Sequence, residues 1–143
     1  MAYAVGIALA LLTGIVGRLA GLDRDRALYP TILIVIASYY VLFAAMGGST
    51  HAVLVESLVM TVFAALAVVG FKSSLWLVVA ALAGHGAFDV VHGRLVTNPG
   101  VPAWWPPFCL AFDAVLAGFL AWLLRSRTLR TPAEPPGRAS QWS

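Results

Sequence analysis

Five apolar runs, each about twenty residues long, set the terms for everything else in this chain. They cover roughly residues 2–19, 28–46, 51–71, 74–92 and 104–124. A helix of that length spans the ~30 Å hydrocarbon core of a bilayer at ~1.5 Å of rise per residue. The alternating segments of about ten residues that a membrane barrel needs are not present. In lipid every backbone N–H and C=O must be satisfied within the segment, which leaves helices. Only 10% of the residues are charged, against about 25% in a water-soluble domain. The expected fold class is therefore all-α, a polytopic membrane helix bundle with five transmembrane helices over residues 1–130. A disordered Pro- and Ser-containing tail is expected over 131–143.

The connections carry the helix punctuation. Pro30 falls in the first turn of the second run, and Pro106 and Pro107 in the first turn of the fifth, where a missing N–H costs nothing. Gly47-Gly48-Ser49-Thr50 supplies a turn and an N-cap, and Lys72-Ser73-Ser74 a second short turn. Gly93 reads as the C-cap of the fourth helix. Gly6, Ala10 and Gly14, spaced by four, form a small-residue face for close helix contact. Arg18 to Arg26, with Asp23 and Asp25 interleaved among its arginines, reads as a solvated turn.

Basic residues set the expected orientation. With five spans, Arg18, Arg24, Arg26, Lys72, Arg125, Arg127, Arg130 and Arg138 share one side, and Arg94 stands alone on the other. The positive-inside rule then puts the C-terminus in the cytoplasm and the N-terminus outside. Tyr29, Trp76 and Trp122 fall at the inner interface, and Tyr3, Trp104 and Trp105 at the outer one, as aromatic belts would. The N-terminus has no basic n-region, so the first run is expected to be a retained span, and the location a bacterial cytoplasmic (inner) membrane.

Within this apolar background the ionisable residues stand out. His85, Asp89 and His92, at i, i+4 and i+7, form one polar stripe on the fourth helix. Glu56 on the third helix and Asp113 on the fifth lie at the same depth, in the outer half-layer. Ionisable groups inside a membrane segment are expensive and mark functional sites by default. Three kinds of chemistry use such a set. Imidazole and carboxylate hold Zn or Fe, with His85, Asp89 and His92 as metal ligands and Glu56, Asp113 or Asp89 in catalytic acid–base roles. Without an ion, Asp–His pairs relay protons or act as acid and base. As structural glue, interhelical polar pairs contribute only about 0.6–2 kcal/mol each, a weak reason to bury five of them.

Further residues have secondary roles open to them. Arg94 is placed to hold an anionic substrate group or to mark headgroup level. Tyr39 and Ser38 sit mid-span. Cys109 shares a face with Asp113, as a thiolate ligand or as a small apolar filler. His51 reads as a helix-start surface residue.

Other classes are excluded. No lysine lies mid-span for a retinal Schiff base, and one cysteine permits neither an internal disulfide nor a CxxC pair. No phosphate loop joins a strand to a helix. The net charge of +3 sits at span ends, so no nucleic-acid partner is implied. Haem is not among the excluded classes: His85 could serve as an axial ligand, although two His at i and i+7 on one helix do not by themselves make a bis-His site. The leading expectation is a metal-dependent intramembrane enzyme, a hydrolase or oxidoreductase, acting on a lipid-like or small apolar substrate. The alternatives are a proton-coupled or metal-ion transporter or channel subunit and a non-catalytic interaction protein. Transport through so small a bundle would require a homo-oligomer.

Overall fold

The computed structural model describes residues 1–126 and Leu129. Among these are five α-helices and no strand: α1 (Ala2–Ala20), α2 (Leu28–Met46), α3 (Thr50–Lys72), α4 (Leu75–Leu95) and α5 (Trp105–Arg125). All five are long and apolar enough to cross a membrane. The segment 131–143, with Arg127, Arg130 and Arg138, lies outside the described residues.

The local punctuation explains the boundaries. Ser49 and Ser74 cap α3 and α4, their hydroxyls accepting from the backbone N–H of Ala52 and Trp76. Gly21 ends α1 at φ 73°, a left-handed conformation that glycine takes without strain. Gly93 is not the cap of α4. The helix runs two residues further and stops at extended Val96, whose N–H still reaches the His92 carbonyl at 2.8 Å. The stop comes from Asn98-Pro99, because the residue before a proline is pushed out of the helical region.

The order of packing departs from chain order. α5 lies between α1 and α4, while α2 packs on α3, and α4 bridges the two groups. At its C-terminal end α1 approaches α2, with Leu28 over Gly17. Further along, a groove separates them. The small-residue face of α1 is buried at Gly6, Ala10, Gly14 and Gly17. A Cβ at Gly6 would stand 2.4 Å from the Phe108 carbonyl oxygen, so Gly6→Val must push α1 off α5. Overpacking of that kind costs about 1–3 kcal/mol, and a lowered melting midpoint in detergent would register it.

The turn after α1 is exposed at Leu22, Arg24 and Asp25, as expected, but not at Asp23. Asp23 is fully buried and receives Arg18 Nη1 at 3.3 Å. The Gly21 turn folds the connection back under the bundle, so this charge is spent on a local clasp. Tyr29 and Trp105 are likewise buried.

A large apolar cluster, including Leu33, Val78, Leu82, Leu116 and Leu120, fills the half of the bundle next to the α1–α2 and α3–α4 connections. The buried ionisable residues of the helices occupy the other half, beside the α4–α5 connection.

Candidate functional site

On α4, Leu75, Val78, Leu82, His85, Asp89 and His92 are all buried. Their spacing alternates between three and four, so they form one row facing the interior. The row is apolar in its first half and polar in its second. α5 mirrors it with Cys109, Asp113, Leu116, Leu120 and Leu123. Gly86 lets the two rows close up: a Cβ there would already lie 3.3 Å from the Asp113 Cβ.

Two polar groups result. In the first, His85 Nδ1 lies 2.7 Å from Asp113 Oδ2 and 3.7 Å from Asp89 Oδ2. Tyr40 donates its hydroxyl to Asp89 Oδ1 at 2.6 Å. In the second, His92 Nε2 meets Glu56 Oε1 at 2.7 Å, and Asn98 Nδ2 donates to the same oxygen at 2.9 Å. Asn98 also donates to the Tyr40 carbonyl at 3.0 Å, tying the α4–α5 connection to α2. The Tyr40 and His92 rings, 4.2 Å between centroids, join the two groups.

The stripe expected to act as one ligand set is therefore shared between the groups. His85 and Asp89 stay together and gain Asp113, while His92 is occupied by Glu56. Ligand-capable atoms of His85, Asp89 and Asp113 all lie within 4.8 Å of one another. Atoms ~2.0–2.2 Å from a tetrahedral Zn²⁺ stand ~3.3–3.6 Å apart, so the widest pair has to close by roughly an ångström on binding. Asp89 Oδ2 and Asp113 Oδ1 are buried without a hydrogen-bond partner, and so is Glu56 Oε2. Buried acceptors of that kind are costly unless something electropositive faces them. Three carboxylates face two imidazoles here. Even with both imidazoles protonated one negative charge remains, and Arg94 is exposed. A divalent ion or additional protons must balance the rest.

The remaining candidates are placed less centrally. Tyr39 is 37% exposed and packs on Phe43 and Trp105. Ser38 is bonded to the Val35 carbonyl. Cys109 is buried with Ile36, Tyr40 and Trp105. His51 is exposed. Tyr40 and Asn98 are the participants that sequence reasoning passed over. A signal existed for each. Ala37 and Ala44 flank Tyr40 on its own helix face and leave it room, and Asn98-Pro99-Gly100 is an Asx-turn pattern, realised as Gly100 N–H to Asn98 Oδ1 at 3.2 Å.

Two cavities approach the groups from different directions. One, about 310 Å³, lies under the α4–α5 connection and is lined by His92, Thr97, Asn98 and Val101, among others. The other, about 420 Å³, is an apolar groove between α1, α2 and α5, lined by Ile32, Val35, Tyr39, Phe108, Cys109 and Phe112, among others.

Comparison with protein-family models, curated proteins and solved structures finds no match.

Proposed function

We propose that this chain is a small metal-dependent membrane enzyme, its ion held by His85, Asp89 and Asp113, acting on a lipid-like or small apolar substrate. The observation that carries the reading is the convergence of those three side chains from α4 and α5, with two carboxylate oxygens left unpartnered. One imidazole and two carboxylates suit Zn²⁺, Fe²⁺ or Mn²⁺. This ligand set takes Asp113 in place of His92. Tyr40 then orients Asp89, and the acid–base couple is His92, one turn away on α4, with Glu56 on α3. A bound ion at this position supplies Lewis acidity or an activated water. The apolar groove, with Cys109 between it and Tyr40, supports an apolar substrate arriving from the lipid side.

In this reading the site lies in the extracytoplasmic half of a bacterial cytoplasmic membrane, because the basic residues cluster at the opposite end. Cys109 is buried and reports poorly on sidedness. In a Cys109→Ala background, Thr50→Cys should react with an impermeant thiol reagent from outside, and Ser73→Cys only from the cytoplasm. The reverse labelling pattern would invert the topology.

Elemental analysis tests the ion. Purified protein is expected to carry about one Zn, Fe or Mn per chain, and Asp113→Asn to lose it. Protein that takes up none of these ions when they are supplied would end the metal reading. The second reading, a proton-coupled carrier, rests on the His85–Asp113 and His92–Glu56 pairs, each already closed at 2.7 Å. Its expected result is proton flux in vesicles that Glu56→Gln abolishes.

A further inference from the structure

His85, Asp89 and Asp113 are between 0 and 3% exposed, so an ion bound there needs a path. A credible metal site includes one. The two cavities offer different terms. The lateral groove is lined almost wholly by carbon, and a divalent cation entering it would surrender its hydration with nothing in return. The cavity under the α4–α5 connection ends on His92 and Asn98. Behind His92, at 2.7 Å, stands Glu56, whose Oε2 has no partner. Asp89 follows three residues back on α4, ~4.5 Å along the helix axis. Thr97, Asn98, His92, Glu56 and Asp89 thus form a series of oxygen and nitrogen donors from the cavity to the cluster. Conduction pathways use the same device: several binding groups in sequence, each weak enough to release the ion.

We infer that the His92–Glu56 pair is the port through which a divalent cation passes between the cavity under the α4–α5 connection and the His85–Asp89–Asp113 cluster. The inference rests on the metal reading and adds a route to it. Asn98 holds the port in register, since its amide bonds Glu56 and the Tyr40 carbonyl together. The pair is closed upon itself at 2.7 Å, so passage requires the imidazole and the carboxylate to part and each to take the ion in turn.

Loading kinetics test the route. Chelator-stripped protein is mixed with Co²⁺ or Zn²⁺ alone, and uptake is followed by competition with an indicator dye. His92→Gln and Glu56→Gln keep size and hydrogen-bonding capacity but remove a ligand. Each is expected to slow loading by about tenfold or more, within the range by which charged clefts raise on-rates, while the final stoichiometry stays at about one ion. Val101→Trp, which plugs the cavity without touching the polar groups, is expected to slow loading as well. Ile32→Trp, in the lateral groove, should load at the wild-type rate. Wild-type rates in all three cavity-side variants would overturn the port, as would slowed loading in Ile32→Trp alone. Lost stoichiometry in His92→Gln would make His92 a permanent ligand and overturn the port while leaving the metal site standing. A wild-type protein that takes up no ion removes both the port and the metal reading.

Discussion

On the proposed metal reading His85→Leu is expected to abolish ion uptake, and in the metal-free protein it is expected to lower stability by roughly 3–5 kcal/mol, the usual cost of removing one partner from a buried charge cluster. His85 Nδ1 is the hydrogen-bond partner of Asp113 Oδ2 and the nearest imidazole nitrogen to Asp89 Oδ2. Without it, Asp113 retains no hydrogen bond and Asp89 keeps Tyr40 alone. Neither carboxylate can reach solvent, because the Leu82 and Leu116 layers close the bundle on one side and the Asn98 connection closes it on the other. Removing the cluster as a whole should be far gentler. A His85→Leu, Asp89→Asn, Asp113→Leu variant keeps an acceptor for Tyr40 and leaves no ionisable group in this cluster, so most of the lost stability should return while ion binding stays absent. Denaturation midpoints and metal content, measured on the single and the triple variant, check both halves. A single variant that keeps its ion, or loses less than about 1 kcal/mol, would mean that the cluster is not the charged centre described above.

That contrast also bears on what the residues disclosed before folding. His85, Asp89, Glu56 and Asp113 were conspicuous because lipid makes an ionisable group expensive, and their common depth followed from counting residues along each helix. Which of them would touch was not accessible in this way. Depth places a residue along the helix axis, but rotation about the axis decides its partner. In water that rotation is written as an apolar stripe. In a bilayer the lipid face and the core face are equally apolar, so α2 presents Ile, Val, Leu and Phe all round and says little about whether Tyr39 or Tyr40 points inward. The alanines at 37 and 44 were the only local hint. On α4 the same ambiguity lay within the stripe itself. His92 shares a face with His85, but Glu56 reaches it from α3, and α5 supplies Asp113 instead.

The helices were legible to within about three residues at their ends, since length and apolar content alone decide them. Gly93 misled because a glycine in a helix is tolerated when Pro99, further on, does the stopping. Asp23 misled for a related reason. Charges that alternate in a short connection look solvated, but the Gly21 turn carries Asp23 beneath the bundle and gives it Arg18.

Glu56→Leu is the second variant with a large expected effect, and its consequence is architectural as well as chemical. Glu56 Oε1 accepts from His92 on α4 and from Asn98 in the connection. Asn98 in turn holds the Tyr40 carbonyl on α2. Gly100, two residues on, lies against the Phe43 carbonyl, where a Cβ has no room. One carboxylate oxygen therefore ties α2, α3, α4 and the α4–α5 connection together. Its loss leaves the buried His92 imidazole and one N–H of the half-buried Asn98 amide without their acceptor, at about 1–3 kcal/mol for the first and less for the second, so a total of roughly 2–4 kcal/mol is expected. Glu56→Gln keeps a carbonyl oxygen in place and should cost nearer 1 kcal/mol. Hydrogen exchange separates the two effects. In Glu56→Leu, protection should fall at the Gly100 and Val101 amides, which close the turn above Asn98, while the apolar end around Leu82 and Leu120 keeps its protection. If exchange rises evenly through the bundle instead, Glu56 serves general packing and the connection is held by Gly100 against Phe43. Local loss confined to residues 96–104 would place the latch at Asn98, and because His92 and Asp89 occupy the same row of α4, it would also explain how a change at the cavity is felt at the buried carboxylates.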